Sequence, residues 1–241
     1  MQELPQQPPD YEALAPYDQS VDGSIISDDI PFQVLEFPTP PTTKLEEKDL
    51  FCLTKYLSEK YKTGFTWTEL PHIIEKVSSY VGPNPEMTTK EKHRACIEVI
   101  HYLMVSLESL YLPEKATDPF FEHLIDSFFI LSLGFEKERA LITPSLEGEP
   151  TDASVLEYSE KLHARFESEG MSWKNLSLGT KYAMTYALSY KDLPKEMQIE
   201  CAYAIVESLL AKSGQHKAPP YFDEKLFKIF LKSFIETSLS K

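Results

Sequence analysis

Residues 62–70 read KTGFTWTEL and residues 167–176 read ESEGMSWKNL, and these two stretches hold both tryptophans of the chain. Each runs glycine, apolar residue, hydroxyl residue, tryptophan and, three positions on, leucine. That pattern predicts the start of a helix, written twice. Thr66 serves as N-cap with Glu69 three residues later to close a capping box, and Ser172 caps the second copy. Phe65 with Leu70, and Met171 with Leu176, can then meet across the cap as hydrophobic staples, with Trp67 and Trp173 at the first helical position. Pro71 falls at the fifth position of its helix, where it should kink or restart it.

The likeness runs past the caps. A shift of 106 residues sets Gly64 on Gly170, Trp67 on Trp173, Leu70 on Leu176, Tyr80 on Tyr186, Leu103 on Leu209 and Pro113 on Pro219. It also sets FEHLIDSFFILSL (121–133) on FKIFLKSFIETSL (227–239). The 70 positions from 64 to 133 give 11 identities, against about four expected by chance at ordinary composition. An internal duplication is therefore expected, with residues 44–134 and 152–241 as two four-helix units and 135–151 as a linker.

Apolar periodicity fills in the units. Leu45, Leu50, Leu53 and Leu57 share one side of the first helix, with Glu and Lys opposite. Helices are expected at about 44–62, 66–81, 88–111 and 118–133, then at 152–168, 172–189, 193–213 and 221–239. Thr88 with Glu91 offers another capping box, and Asp118 before Pro119 offers an N-cap with proline at the first helical position. No segment alternates with a period of two, so the fold class is all-α.

Residues 1–43 differ in kind. They hold eight of the 18 prolines, eight acids and no lysine or arginine. Such a segment buries too little apolar surface to offset its ordering entropy, which predicts an extended, polyproline-like arm ahead of the helical units. Its apolar residues are spaced as anchors: Tyr11, Leu14, Tyr17, Ile25, Phe32, Leu35 and Phe37. The arm either lies along neighbouring proteins or folds back on its own body. Pro8-Pro9-Asp10-Tyr11 also fits the PPxY pattern bound by WW domains, whose aromatic grooves take a preformed polyproline helix and the tyrosine after it. In the bland reading the prolines stiffen the arm and Tyr11 packs.

Charge and composition exclude several classes. A formal net charge of −14 repels nucleic acid and anionic membrane surfaces, and no basic patch offsets it. The longest apolar run, FFILSL at 128–133, is too short to span a bilayer, and the N-terminal stretch lacks a signal-peptide pattern. Cys52, Cys96 and Cys201 are odd in number and set among apolar helical residues, which predicts buried free thiols in a reducing compartment. Eight glycines form no phosphate-binding loop, and the six histidines form no metal-ligand spacing. His93 and His101 are expected on a helix surface. No cofactor, metal site or catalytic residue is expected.

One resemblance adds to this reading. Residues 88–134 resemble small all-helical proteins of the nucleocytoplasmic large DNA viruses of algae and protists. The matching residues are Lys90, Glu91, Lys92, Val99, Ile100, Leu103, Pro113, Asp118, Leu124, Ile125, Asp126 and Gly134. The second copy departs, lacking the Lys-Glu-Lys start and carrying Lys232 in place of Asp126. The resemblance implies a viral origin and offers no catalytic residues. Joined to the arm and the helical body, it gives the expectation of a minor capsid protein in the virion and, during assembly, the host cytoplasm. The competing expectation is a soluble adaptor recruiting WW-domain proteins through its PPxY motif. A third, an enzyme whose site gathers scattered residues, leaves no mark in one sequence.

Overall fold

A computed structural model of the 241-residue chain describes residues 36–43, 45–106, 112–116, 118–213 and 218–240. Among these residues the fold is all-helical, with eight helices: α1 (Glu47–Lys60), α2 (Leu70–Val81), α3 (Thr89–Ser106), α4 (Pro119–Arg139), α5 (Asp152–Phe166), α6 (Trp173–Leu188), α7 (Lys195–Ser213) and α8 (Glu224–Leu239). The one β feature among them is an isolated parallel bridge between Leu146 and Tyr190.

The capping chemistry accounts for most boundaries. Thr88 N donates to Glu91 Oε2 at 2.8 Å while Glu91 N donates to Thr88 Oγ1 at 3.3 Å, a reciprocal box at the start of α3. Ser172 Oγ accepts from Asn175 N at 3.1 Å to open α6. At Thr66 half of the expected box forms, with Thr66 N donating to Glu69 Oε2 at 2.8 Å. Residues 67–69 are a turn, and α2 begins at Leu70 with Pro71 in its first two positions. The proline thus needs neither kink nor break, because a missing N–H costs nothing in the first turn. Trp67 consequently sits in the turn ahead of its helix, whereas Trp173 is the first residue of α6.

Two further expectations are corrected. Helix α4 runs through Gly134 to Arg139, so the first residues of the expected linker are helical. Phe135 buries itself in that extra turn, and Arg139 donates to the carbonyls of Ser238 and Leu239 at 3.0 and 3.4 Å. Of the cysteines, Cys96 and Cys201 are buried but Cys52 is exposed on α1.

The core is one continuous apolar cluster drawn from all eight helices. Helix α1 packs on α3 and α2 on α4, while α5 and α6 both pack on α7. The two halves are joined by α2 against α8 and α4 against α6. Phe120 lies between the tryptophans, with ring centroids 5.3 Å from Trp67 and 5.6 Å from Trp173. Deeper in, Phe128 touches Phe227, Phe230 and Phe234 at 5.8, 5.0 and 4.9 Å. Ion pairs Lys115–Asp223 at 2.6 Å and Lys181–Glu138 at 3.0 Å cross the same junction nearer the surface.

Several local geometries recur at a spacing of 106 residues. Trp67 Nε1 donates to Glu114 O at 3.1 Å and Trp173 Nε1 to Pro220 O at 3.0 Å, in each case 47 residues downstream. Among the described residues, the non-glycine positions with positive φ are Lys115 (61°) and Tyr221 (60°), each directly after the carbonyl that the indole holds. Left-handed backbone is costly for such residues, so a buried indole bond that fixes the loop accounts for its survival twice.

Because Phe128 is buried where the halves meet, Phe128→Ala should cost about 3–5 kcal/mol. Denaturant unfolding followed by both circular dichroism and tryptophan fluorescence should still show one coincident transition. Two separated transitions, with one unaffected by the substitution, would contradict the shared core.

Candidate functional site at the base of the arm

Of the residues expected to bind partners, Pro8, Pro9, Tyr11, Leu14, Tyr17, Ile25, Phe32 and Leu35 lie outside the described residues. Phe37 lies within them, and it packs on its own chain. Its ring stands edge-on to Tyr56 (5.2 Å, 84°) and to Tyr80 (6.1 Å, 90°), with Lys76 Nζ 5.5 Å from its centroid. Phe37, one of the expected anchors, thus makes these contacts within its own chain.

The segment after Phe37 is fixed by a single side chain. Asn84 is fully buried, and its Nδ2 donates to Pro41 O at 3.2 Å and to Thr43 O at 2.6 Å, while its Oδ1 accepts from Glu86 N at 3.0 Å. Those bonds satisfy a buried amide whose donors would otherwise cost free energy. The local signal was present in Pro83-Asn84-Pro85, where flanking prolines supply no N–H and leave the asparagine amide as donor. Pro41 and Thr43, expected within the arm, are thus held on the helical body.

A parallel arrangement holds the segment before α5. Ser145 N and Leu146 N both donate to Ser189 O at 2.8 Å, and Lys191 N donates to Leu146 O at 3.0 Å. The aromatic partner differs, however. Tyr186, which stands where Tyr80 does in the first half, stacks on Tyr158 of α5 at 4.2 Å. Cys52 occupies the corresponding place on α1, so the ring on Tyr80 comes from the arm base instead.

His93 Nε2 and Asp126 Oδ1 lie 2.7 Å apart, joining α3 to α4, so the histidine expected on a helix surface is half-buried and partnered. That acid lies 33 residues away, beyond any motif spacing. Neighbouring Cys96 is fully buried, and burial, helped by the Asp126 charge, raises its thiol well above the usual range. Burial lifts Cys201 to about 11. Both therefore stay as unreactive thiols at neutral pH. Among the described residues no group of three or more His, Cys, Asp or Glu could hold a metal ion, and no helix is long and apolar enough to cross a membrane. Compared with protein-family models, curated proteins and solved structures, the chain gives no match.

Replacing Asn84 with Ala leaves the Pro41 and Thr43 carbonyls without their donor, so it should cost about 1–3 kcal/mol. Limited proteolysis should then cut at residues 36–43 before the helices. Unchanged stability and an uncut segment would remove the clamp from consideration.

Alkaline pH offers a second check. Burial pushes the phenols of Tyr61, Tyr80 and Tyr190 up to about 12, from 10.0 for an exposed tyrosine. Their folded values are raised, so their contribution is fully present below about pH 10 and is lost as pH climbs toward about 12. Unfolding free energy should fall across that window, together with late-appearing phenolate absorbance. A flat profile to pH 12 would contradict the burial of these groups.

Proposed function

We propose that this chain is a non-catalytic architectural protein that ties neighbouring proteins of a large assembly together through its N-terminal arm. The observation that carries this reading is the fixed base of the arm. Phe37 is wedged among Tyr56, Tyr80 and Lys76, and Asn84 holds Pro41 and Thr43. An arm with apolar residues spaced along prolines can spread many small contacts over several neighbours, and tethering raises their effective concentration. The partners are proteins, since a net charge of −14 opposes nucleic acid.

The body is read as a duplication of one four-helix unit, supported by the paired tryptophan bonds and the paired left-handed residues 106 apart. The assembly we assign is the capsid of a large icosahedral DNA virus, with the chain as a minor capsid component. That assignment rests on the resemblance of residues 88–134. The reading as an adaptor for WW-domain proteins is supported by Pro8-Pro9-Asp10-Tyr11 alone.

Truncation separates the two readings. Removing residues 1–35 should leave helicity and melting unchanged while abolishing co-sedimentation with capsid shells. Tyr11→Ala in the intact chain should weaken this only slightly, because one anchor of many is lost. If the truncated chain still enters particles, the architectural reading fails. If Tyr11→Ala alone abolishes function together with WW-domain binding, the adaptor reading replaces it.

A further inference from the structure

Between α1 and α3 lies an open groove of about 410 Å³. Its lining includes Leu50 and Met87, and its rim carries three carboxylates and one guanidinium: Glu98 pairs with Arg94 at 2.8 Å, Glu91 Oε2 accepts from Thr88 N at 2.8 Å, and Glu86 completes the set. Beyond it runs the seam of the two helices. Phe51 lies two turns before Ser58 on α1, while on α3 Tyr102 lies one turn beyond Glu98 and Val105 one turn further. The far end is pinned where Ser58 Oγ meets Ser106 Oγ at 3.0 Å. Along this path Phe51 is 68 %, Tyr102 59 % and Val105 81 % exposed.

The second half supplies an internal control, on the duplicated-unit reading given above. Helices α5 and α7 pack as α1 and α3 do, yet their seam is closed by polar links, Ser159 Oγ to Ser208 Oγ at 2.8 Å and Lys212 Nζ to Glu160 at 3.0 Å. At the positions 106 residues beyond Phe51, Tyr102 and Val105 stand Glu157, Ser208 and Ala211. Glu157 pairs with Lys161 at 2.7 Å, and Lys55 stands ready to do the same for a glutamate at 51. The fold therefore has no need of apolar groups at these three places.

We propose that the α1/α3 groove docks an amphipathic helix of a basic partner protein. Its apolar stripe would cover Phe51, Tyr102 and Val105, and its lysines or arginines would meet the carboxylate rim, the helix-in-groove mode of recognition. Charge selects this occupant over others. A net charge of −14 on each copy opposes self-association through an acidic rim and opposes an anionic bilayer, while it draws a cationic segment in.

The test uses the full chain and a synthetic amphipathic peptide of about four helical turns, leucine on one face and lysine on the other. A second peptide keeps the leucine face and replaces lysine with glutamate. Titration calorimetry should show one leucine–lysine peptide bound per chain and no binding of the leucine–glutamate peptide. The double variant Phe51→Glu, Tyr102→Ser takes the residues of the second half, so its melting should match the parent. Its affinity for the leucine–lysine peptide should drop roughly tenfold or more, as expected when central apolar anchors are lost. The variant is more acidic than the parent, so attraction by charge alone would instead grow. Unchanged or tighter binding by the variant, equal binding of both peptides, or no binding at all would overturn the proposal. So would a dimer in solution that the same substitutions dissociate, which would give the groove to a second copy.

Discussion

Two tryptophans that must satisfy one polar atom each while burying a large ring set the geometry on which the rest depends. An indole gains free energy by burial only if its N–H finds an acceptor, and here the acceptor is a loop carbonyl 47 residues away. That bond draws the loop before the fourth helix of each half over the turn that opens the second. Phe120 then fills the space between the rings, and Phe128 reaches past it into the α8 aromatics. Removing that junction would expose several phenylalanines at once. The halves therefore behave as parts of one core, although each has its own run of four helices.

What the sequence made legible follows from the range of each interaction. Caps, staples and apolar periodicity act over three to seven residues, and they placed the eight helices to within a few residues. Pro71 looked like a defect because the tryptophan pattern suggested an early start. The turn at 67–69 moves the start to Leu70, where proline is compatible. Helix α4 overran its expected end because Phe135 has a buried place to go, which depends on α8 and not on the local sequence. His93 with Asp126, and Asn84 with Pro41 and Thr43, join residues more than 30 apart. No local pattern encodes such pairs, although the composition of Pro83-Asn84-Pro85 marks the loop as one that lacks donors.

Differences between the two halves separate what the packing demands from what it merely permits. Tyr80 and Tyr186 both need an aromatic neighbour, and they obtain it differently: α5 supplies Tyr158 to one, the arm base supplies Phe37 to the other. The first half is thus completed by a ring that precedes its helices. The thiol of Cys52 stands exposed at the place where the second half has the Tyr158 ring.

Surface charge adds the last constraint. The ion pairs crossing between helices are partly exposed, so each contributes little to folding. The excess of acid instead sets a negative field that acts at longer range. A body of this kind cannot rely on broad charge attraction to hold an acidic neighbour. Binding of such a neighbour must come from apolar groups small enough to leave the chain dispersed and numerous enough to add together. Under the proposed reading, the eight prolines among residues 1–43 meet that condition, since proline restricts a chain before it binds.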